Sequence, residues 1–132
     1  EEIKWLLQMN RIIRDLERCG DYLINIITIS DVIDMNEIGP VIKKFFAYEI
    51  DMMKWLQAGI QNDDVELLEK VIAHDEHVNQ LNRKTYDTVA TQLQEQEVSE
   101  SKLKMVVVSR FLERLGDHLV NAAKAYRKTL NK

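Results

Sequence analysis

Two copies of one charged segment lie near opposite ends of this 132-residue chain. The first copy reads RDLERCGDYLIN over residues 14–25, and the second reads RFLERLGDHLVN over residues 110–121. Each copy places a glutamate, an aspartate and an asparagine at intervals of four residues, as in Glu17, Asp21 and Asn25. Side chains four residues apart lie on one face of a helix, so each copy predicts a stripe of carboxylate and amide oxygens.

Such a stripe has two interpretations. Carboxylates one turn apart can share a hard or borderline cation such as Mg²⁺, Mn²⁺ or iron, so Glu17 with Asp21 and Glu113 with Asp117 are candidate metal ligands. The alternative is a solvated polar face on which the arginines of each copy pair with the acids. The spacing alone leaves both interpretations open.

A glycine precedes the aspartate in both copies, at Gly20 and Gly116. Glycine inside a helix costs about 1 kcal/mol relative to alanine. Its recurrence between the two acids therefore predicts the close approach of another backbone or of a ligand.

The histidines do not form an enzyme motif. A di-iron bundle enzyme needs Glu-x-x-His pairs that project inward, and Val71, His74 and Leu115 stand three residues before His74, His77 and His118. The chain also lacks a zinc-binding His-Glu-x-x-His, a glycine-rich phosphate loop and a recognisable nucleophile arrangement. The missing Glu-x-x-His pairs count against a helical-bundle metalloenzyme, which remains the alternative of the enzyme class.

Helical periodicity runs through almost the whole chain. It predicts a first helix from Ile3 to about Asp34 and a break at residues 36–40, with Pro40 in the first turn of helix two. Asp63 and Ser99 are the predicted N-caps of helices three and four, and helix four ends near Thr129. Short connections between long amphipathic helices predict an all-α, up-down antiparallel bundle of four helices.

Composition excludes several classes of protein. With 45% hydrophobic residues, 30% charged residues and a net charge of −4, the chain resembles a soluble domain and does not suit nucleic acid. Its one cysteine, Cys19, cannot form an intrachain disulfide, which fits the cytoplasm. No apolar run has the roughly 18 to 20 residues that span a bilayer.

The repeated Leu-Glu-Arg-x-Gly-Asp-x-x-x-Asn segment resembles the PhoU family, whose two three-helix repeats each end in a helix with a closely similar segment. The resemblance implies that residues 36–132 form one complete repeat and that residues 1–35 are the last helix of a repeat whose first two helices lie upstream. It also implies that the two units pack together as one bundle.

The resemblance further implies metal binding, because Glu/Asp-x-x-x-Asp motifs of the family hold multinuclear iron or zinc clusters. Glu113, Asp117, Glu17 and Asp21 match these motifs. The family's Asp-Asp-Glu-x-Asp motif on the second helix corresponds here to residues 75–79, and three residues of it are candidate ligands. These are Asp75, His77 and Asn79.

This second motif departs from the family pattern, because His77 replaces a glutamate and Asn79 replaces an aspartate. An amide is a weaker ligand for hard cations than a carboxylate, so a bound cluster is expected to be smaller or weaker, or to prefer zinc. Iron, zinc and manganese are the metals expected. In the first copy of the repeated segment, Cys19 and Tyr22 also replace the usual isoleucine and histidine.

The function implied by the resemblance is the regulation of phosphate uptake, without catalysis, through contact with a phosphate transporter or its sensor kinase. We expect the cytoplasmic part of a protein related to sodium/phosphate cotransporters, tethered to the inner membrane by upstream spans. A free-standing phosphate transport regulator is the alternative.

A homodimer is expected for this chain. If residues 1–35 belong to an incomplete repeat, part of their apolar surface has no neighbour within the chain, and large exposed apolar patches usually mark an interface. The uncovered side chains are expected to come from Trp5, Leu6, Ile13, Ile24, Ile26 and Ile27.

Overall fold

The computed structural model describes residues 2–30, 35–95 and 97–130, and in these ranges every regular element is an α-helix. Helix α1 covers Glu2–Ser30, α2 covers Met35–Asn62, α3 covers Val65–Glu95 and α4 covers Glu100–Leu130. The predicted all-α bundle of four long helices is confirmed. Among the described residues, no helix combines enough length and hydrophobicity to cross a bilayer.

Helix α4 is the centre of the bundle, because it packs against each of the other three helices. Its core side chains are fully buried, and α2 and α3 pack on them and on each other. Helix α1 packs on α4 alone: no Cα of its described residues lies within 8 Å of a Cα of α2 or α3. The buried core of α4 includes Val108, Leu112, Leu115, Leu119, Ala122 and Ala123.

The helices alternate in direction, as an up-down bundle requires. Between α1 and α4, the Nδ1 atom of His118 lies 2.8 Å from a carboxylate oxygen of Asp15, and the thiol of Cys19 lies 3.6 Å from the carbonyl oxygen of Leu115. Tyr22 stacks on His118 with 5.7 Å between ring centroids. These pairings show that α1 runs antiparallel to α4.

Two helix caps are formed by side chains. The carboxylate of Asp64 accepts hydrogen bonds from the backbone N–H groups of Glu66 and Leu67, at 3.0 and 3.3 Å, so Asp64 caps α3. The predicted cap, Asp63, is wrong by one residue: it adopts a positive φ of 50° and accepts a hydrogen bond from the hydroxyl of Tyr126. The predicted cap of α4 is confirmed, because the Ser99 hydroxyl accepts from the N–H of Lys102.

The predicted break at residues 36–40 is also wrong. Helix α2 begins at Met35 and continues through Gly39 and Pro40. Pro40 has no N–H to donate to the carbonyl of Asn36. Because only about one turn of helix precedes Pro40, this missing hydrogen bond lies at the N-terminal end of α2. The predicted extension of helix one to Asp34 falls on residues 31–34, which lie outside the described residues.

The outer face of α1 is strongly apolar and exposed. Five of the six side chains that were expected to be uncovered are exposed, with Ile24 and Ile27 at 62% and 66%. Ile26 is the exception, because it faces α4 and is buried. The exposed five are Trp5, Leu6, Ile13, Ile24 and Ile27.

Candidate functional site

Three helices bring acidic side chains together beside Gly116 of α4. Glu49 comes from α2 and Asp75 from α3, and both are buried, with 2% and 8% of their surfaces exposed. A Cβ atom at Gly116 would lie 2.6 Å from Oδ1 of Asp75 and 3.2 Å from Oε2 of Glu49. The close approach at Gly116 comes from side-chain carboxylates and not from the backbone or ligand that the repeated glycine predicted, and only a residue without a side chain allows it.

Both carboxylate oxygens of Glu49 are buried and have no hydrogen-bond partner in the described protein. Burial, together with the charges of Asp75 and Asp117, raises the pKa of Glu49 from 4.5 to about 9, and burial is the largest of these causes. A buried acid without partners is costly to ionise, so Glu49 carries its proton at neutral pH when nothing else is bound.

Asp75 is the second unusual acid. Its Oδ1 atom is buried without a hydrogen-bond partner. Its pKa is raised from 3.8 to about 7, first by burial and then by the charge of Asp117, a hydrogen bond with Asp117 and the charge of Glu113, whereas a hydrogen bond with Asn79 lowers it. Asp117 and Glu113 are thus close enough to influence the ionisation of Asp75. We call Glu49, Asp75, Glu113 and Asp117 the carboxylate cluster.

Neighbouring side chains hold Glu113 at the edge of the carboxylate cluster. One of its oxygens, Oε2, accepts a hydrogen bond of 2.7 Å from the amide of Asn82 and lies 3.4 Å from the guanidinium of Arg110. The amide oxygen of Asn82 in turn accepts a hydrogen bond from the hydroxyl of Ser109. Glu113 is therefore oriented by partners on both α3 and α4.

The donors of the carboxylate cluster fit a cation. Four carboxylates from three helices, with three buried oxygens that lack partners, supply the hard oxygen ligands that Mg²⁺, Mn²⁺ and iron prefer. In the arrangement that the structure describes for residues 2–30, 35–95 and 97–130, no three His, Cys, Asp or Glu side chains already stand at metal-binding distances. Metal binding would therefore require the carboxylates to rotate toward a common point.

The other predicted ligands on α3 divide into two groups. The amide oxygen of Asn79 is buried without a hydrogen-bond partner, one turn from Asp75 on the cluster side. His77 lies elsewhere: its ring stacks on Tyr48 at 5.4 Å and meets His74 edge-on at 4.9 Å. The structure brings Asn79, but not His77, to the carboxylate cluster.

The first copy of the repeated segment lies on the surface of α1. Glu17 and Asp21 are exposed and share a surface hollow with Arg14 and Arg18. A Cβ atom at Gly20 would meet nothing within 4 Å, so no neighbour approaches α1 as Glu49 and Asp75 approach Gly116. The two copies have the same sequence pattern, but only the second places its glycine against acidic side chains of α2 and α3.

Sequence reasoning missed Glu49. It lies between Phe45 and Met52 on the apolar stripe of α2, with both of these neighbours almost fully buried. A glutamate at a core position of an amphipathic helix is unusual, because ionised acids are rarely buried without partners. That position in the stripe was the signal available in the sequence.

Comparison with known proteins identifies the family. Residues 42–126 match the family model of the PhoU domain. The chain is also similar to the phosphate-specific transport system accessory protein PhoU homolog of Deinococcus radiodurans, with 28% identity over 120 residues that cover 86% of this chain and 55% of that protein. The chain thus spans about half the length of this curated relative. None of the solved structures matches the chain. Because the family model covers more than half of its residues, the chain belongs to the PhoU domain family.

Proposed function

We propose that this chain is a non-catalytic regulatory domain of phosphate uptake and that it works from the cytoplasmic side of the membrane. Family membership supports this proposal, as does the similarity to a protein named as an accessory of phosphate-specific transport. A phosphate transporter or its sensor kinase is the proposed partner. Residues 1–35 would belong to an upstream repeat and residues 36–132 would form one complete repeat, in agreement with the contact of α1 with α4 alone.

Two settings suit such a domain. The first is the cytoplasmic part of a protein related to sodium/phosphate cotransporters, tethered to the inner membrane by other segments. The second is a free-standing regulator, which the name of the Deinococcus radiodurans relative favours. In either setting, the apolar outer face of α1 needs a cover, and we propose a second copy of the chain in solution.

The carboxylate cluster would bind iron, manganese or zinc as part of this regulation. The observation that carries this proposal is the convergence of unpartnered buried oxygens of Glu49 and Asp75 on the backbone of Gly116. A cation would replace the proton that Glu49 otherwise needs and would neutralise the mutual repulsion of the acids. Glu113, Asp117, Asp75 and Glu49 would supply carboxylate ligands, and Asn79 would supply an amide oxygen.

Glu17 and Asp21 belong to this proposal in a different way. They have the spacing of Glu113 and Asp117, but nothing within the described chain faces them across Gly20. A second metal site there would need acidic ligands from another repeat or another subunit.

Calorimetric titration tests the metal site. The parent protein, stripped of metal, is titrated separately with iron(II), manganese(II) and zinc(II). Glu113→Ala with Asp117→Ala is expected to abolish binding or weaken it at least tenfold. The matched control is Glu17→Ala with Asp21→Ala, which removes the same two residue types from α1 and is expected to leave the affinity near that of the parent. Equal affinities of the parent and the Glu113→Ala, Asp117→Ala variant would overturn the metal proposal.

Phosphate uptake in cells tests the regulatory role. Cells that produce the full protein are compared with cells that lack it, at low and at high external phosphate, by uptake of radioactive phosphate. We propose that the domain represses uptake when phosphate is abundant, so loss of the protein is expected to leave uptake high under that condition. Uptake that is the same in both cells at both concentrations would contradict the proposal.

A further inference from the structure

A groove between α1 and the C-terminal half of α4 is lined mainly by positive side chains. Arg11 and Arg14 come from α1, and Lys124, Arg127 and Lys128 come from α4. We call these five residues and the space between them the basic groove. Its volume of about 630 Å³ lies within the range of about 300–1,000 Å³ that is typical of small-molecule sites. The basic groove is separate from the carboxylate cluster, which lies on the α2–α3 side of α4.

None of the five cations forms a salt bridge with a carboxylate in the described part of the chain. The only acid that lines the basic groove is Asp15, and one of its oxygens is already 2.8 Å from the Nδ1 atom of His118. The positive charge of the basic groove is therefore not paired with a carboxylate of the described residues at salt-bridge distance.

On α4 the local sequence concentrates the positive charge. Lys124 precedes Arg127 by three residues and Lys128 by four. Like charges at these spacings in a helix repel one another. Residues whose charges are unfavourable for their own helix, and are not paired elsewhere in the fold, are often functional, because a bound ligand supplies the opposite charge.

We propose that the basic groove binds a small anion with several consecutive phosphoryl groups, from either an inorganic polyphosphate or a nucleoside polyphosphate. Guanidinium groups match phosphate oxygens with two parallel hydrogen bonds, and Lys124 and Lys128 add further charge. Five positive side chains around one small groove suit a ligand that carries a negative charge on each of several consecutive phosphoryl groups. The amides of Gln8 and Asn121, which also line the groove, add uncharged donors.

The rest of the molecule argues against a long polyanion. The net charge of the chain is −4, so the surface beyond the basic groove repels a nucleic acid or any extended chain of negative charge. A compact ligand experiences mainly the local positive field. The recognised group is therefore the phosphoryl chain itself, and a nucleoside attached to it would lie at the mouth of the groove.

Binding of tripolyphosphate and of ATP tests this proposal. Both titrations use EDTA and about 0.1 M salt, so that a metal at the carboxylate cluster does not contribute. The parent is expected to bind tripolyphosphate with a dissociation constant in the micromolar range, and Arg11→Gln with Lys124→Gln is expected to weaken this affinity at least tenfold. Equal affinity for ATP would indicate recognition of phosphoryl groups alone, and tighter binding of ATP would indicate an added nucleoside contact; both results support the site.

Two controls make the test specific. Lys43→Gln with Lys84→Gln removes the same charge from exposed positions on α2 and α3, and it is expected to leave the affinity unchanged. Glu113→Ala with Asp117→Ala is expected to retain tripolyphosphate binding, which separates this site from the metal site. The proposal is overturned if neither phosphate compound binds below millimolar concentration. It is also overturned if the Lys43→Gln, Lys84→Gln control weakens binding equally, or if a glutamate-rich peptide displaces tripolyphosphate at equal concentration.

Discussion

Glu49 determines how the carboxylate cluster responds to pH. Its two oxygens are buried without partners, and it faces Asp75 and Asp117. Its proton is therefore held by the folded protein at pH values where the unfolded chain has already released it. The same reasoning applies to Asp75, whose pKa is raised to about 7.

The metal-free protein is therefore expected to lose stability as the pH rises. The pKa of Glu49 is 4.5 in the unfolded chain and about 9 in the folded protein, so between these values folding binds a proton and the free energy of unfolding falls with increasing pH. Glu49→Gln removes the part of this dependence that Glu49 contributes and leaves the part that Asp75 contributes up to about pH 7. The free energy of unfolding of the variant should resemble that of the parent near pH 5 and exceed it near pH 9. Urea unfolding at several pH values measures this, with the exposed Glu69→Gln as control; a variant with the slope of the parent would refute the assignment.

The two equivalent glycines should respond oppositely to the same substitution. Gly20→Ala adds a methyl group in open space and removes the helix penalty of glycine, so we expect a gain of up to about 1 kcal/mol in the free energy of unfolding. Gly116→Ala places its Cβ atom 2.6 Å from Oδ1 of Asp75, and the displacement of that buried carboxylate offsets the gain. We expect Gly116→Ala to be less stable than Gly20→Ala by about 1 kcal/mol or more. Thermal unfolding compares the two, and equal stabilities would contradict this expectation.

Sequence patterns predicted part of the candidate site. The spacing of Glu113 and Asp117 and the recurrence of Gly116 identified the face of α4 that the other helices approach. The contribution of Glu49 was missed because periodicity shows only that a residue faces the core and not which partners meet it there. His77 shows that closeness in sequence does not guarantee a shared helix face. It lies two residues after Asp75, and the helix turns far enough between them to direct the His77 ring toward Tyr48.

Among the helices, α1 has the fewest neighbours. It rests on α4 alone, whereas α4 contacts all three other helices. Local opening of a helix costs less free energy when fewer buried contacts are broken. Helix α1 should therefore open without the unfolding of the rest of the bundle.

Hydrogen exchange provides the corresponding test. At low protein concentration, amides in the middle of α1 are expected to exchange at least tenfold faster than amides in the middle of α4. Mass spectrometry of peptides from residues 10–20 and 110–120 measures the difference. Similar protection in both peptides at all concentrations would show that α1 and α4 unfold as one unit.

Helix boundaries show how much of each element the sequence determines. The caps of α3 and α4 were predicted to within one residue, because aspartate and serine side chains bond to nearby N–H groups and act locally. The start of α2 was not predicted correctly, because Gly39 and Pro40 resemble a break. Ile42, Phe45 and their neighbours are buried against the bundle, and this packing stabilises a helix that local preference disfavours.

For the whole molecule, the apolar face of α1 predicts association. Large exposed aliphatic side chains on one helix face form a surface that water solvates poorly. A two-fold arrangement covers the same face on both copies with one interface. We therefore expect a dimer at tens of micromolar protein.

Sedimentation equilibrium tests the dimer with two matched variants. Ile24→Glu with Ile27→Glu places two charges on the exposed face of α1 and is expected to yield a monomer. Leu93→Glu with Leu103→Glu also places two charges at exposed aliphatic positions, on α3 and α4, and is expected to remain dimeric. A monomeric parent would contradict the prediction, and so would a dimer whose mass is unchanged by Ile24→Glu with Ile27→Glu.

The central position of α4 has a thermodynamic consequence. The basic groove lies between α4 and α1, and the carboxylate cluster lies between α4 and the α2–α3 pair. In the described ranges the backbone of α1 neighbours that of α4 alone, so α4 is the main route for any allosteric coupling between the two places. Such coupling is reciprocal. If a cation at the carboxylate cluster changes the affinity of the basic groove for an anion by some factor, the anion changes the affinity of the carboxylate cluster for the cation by the same factor.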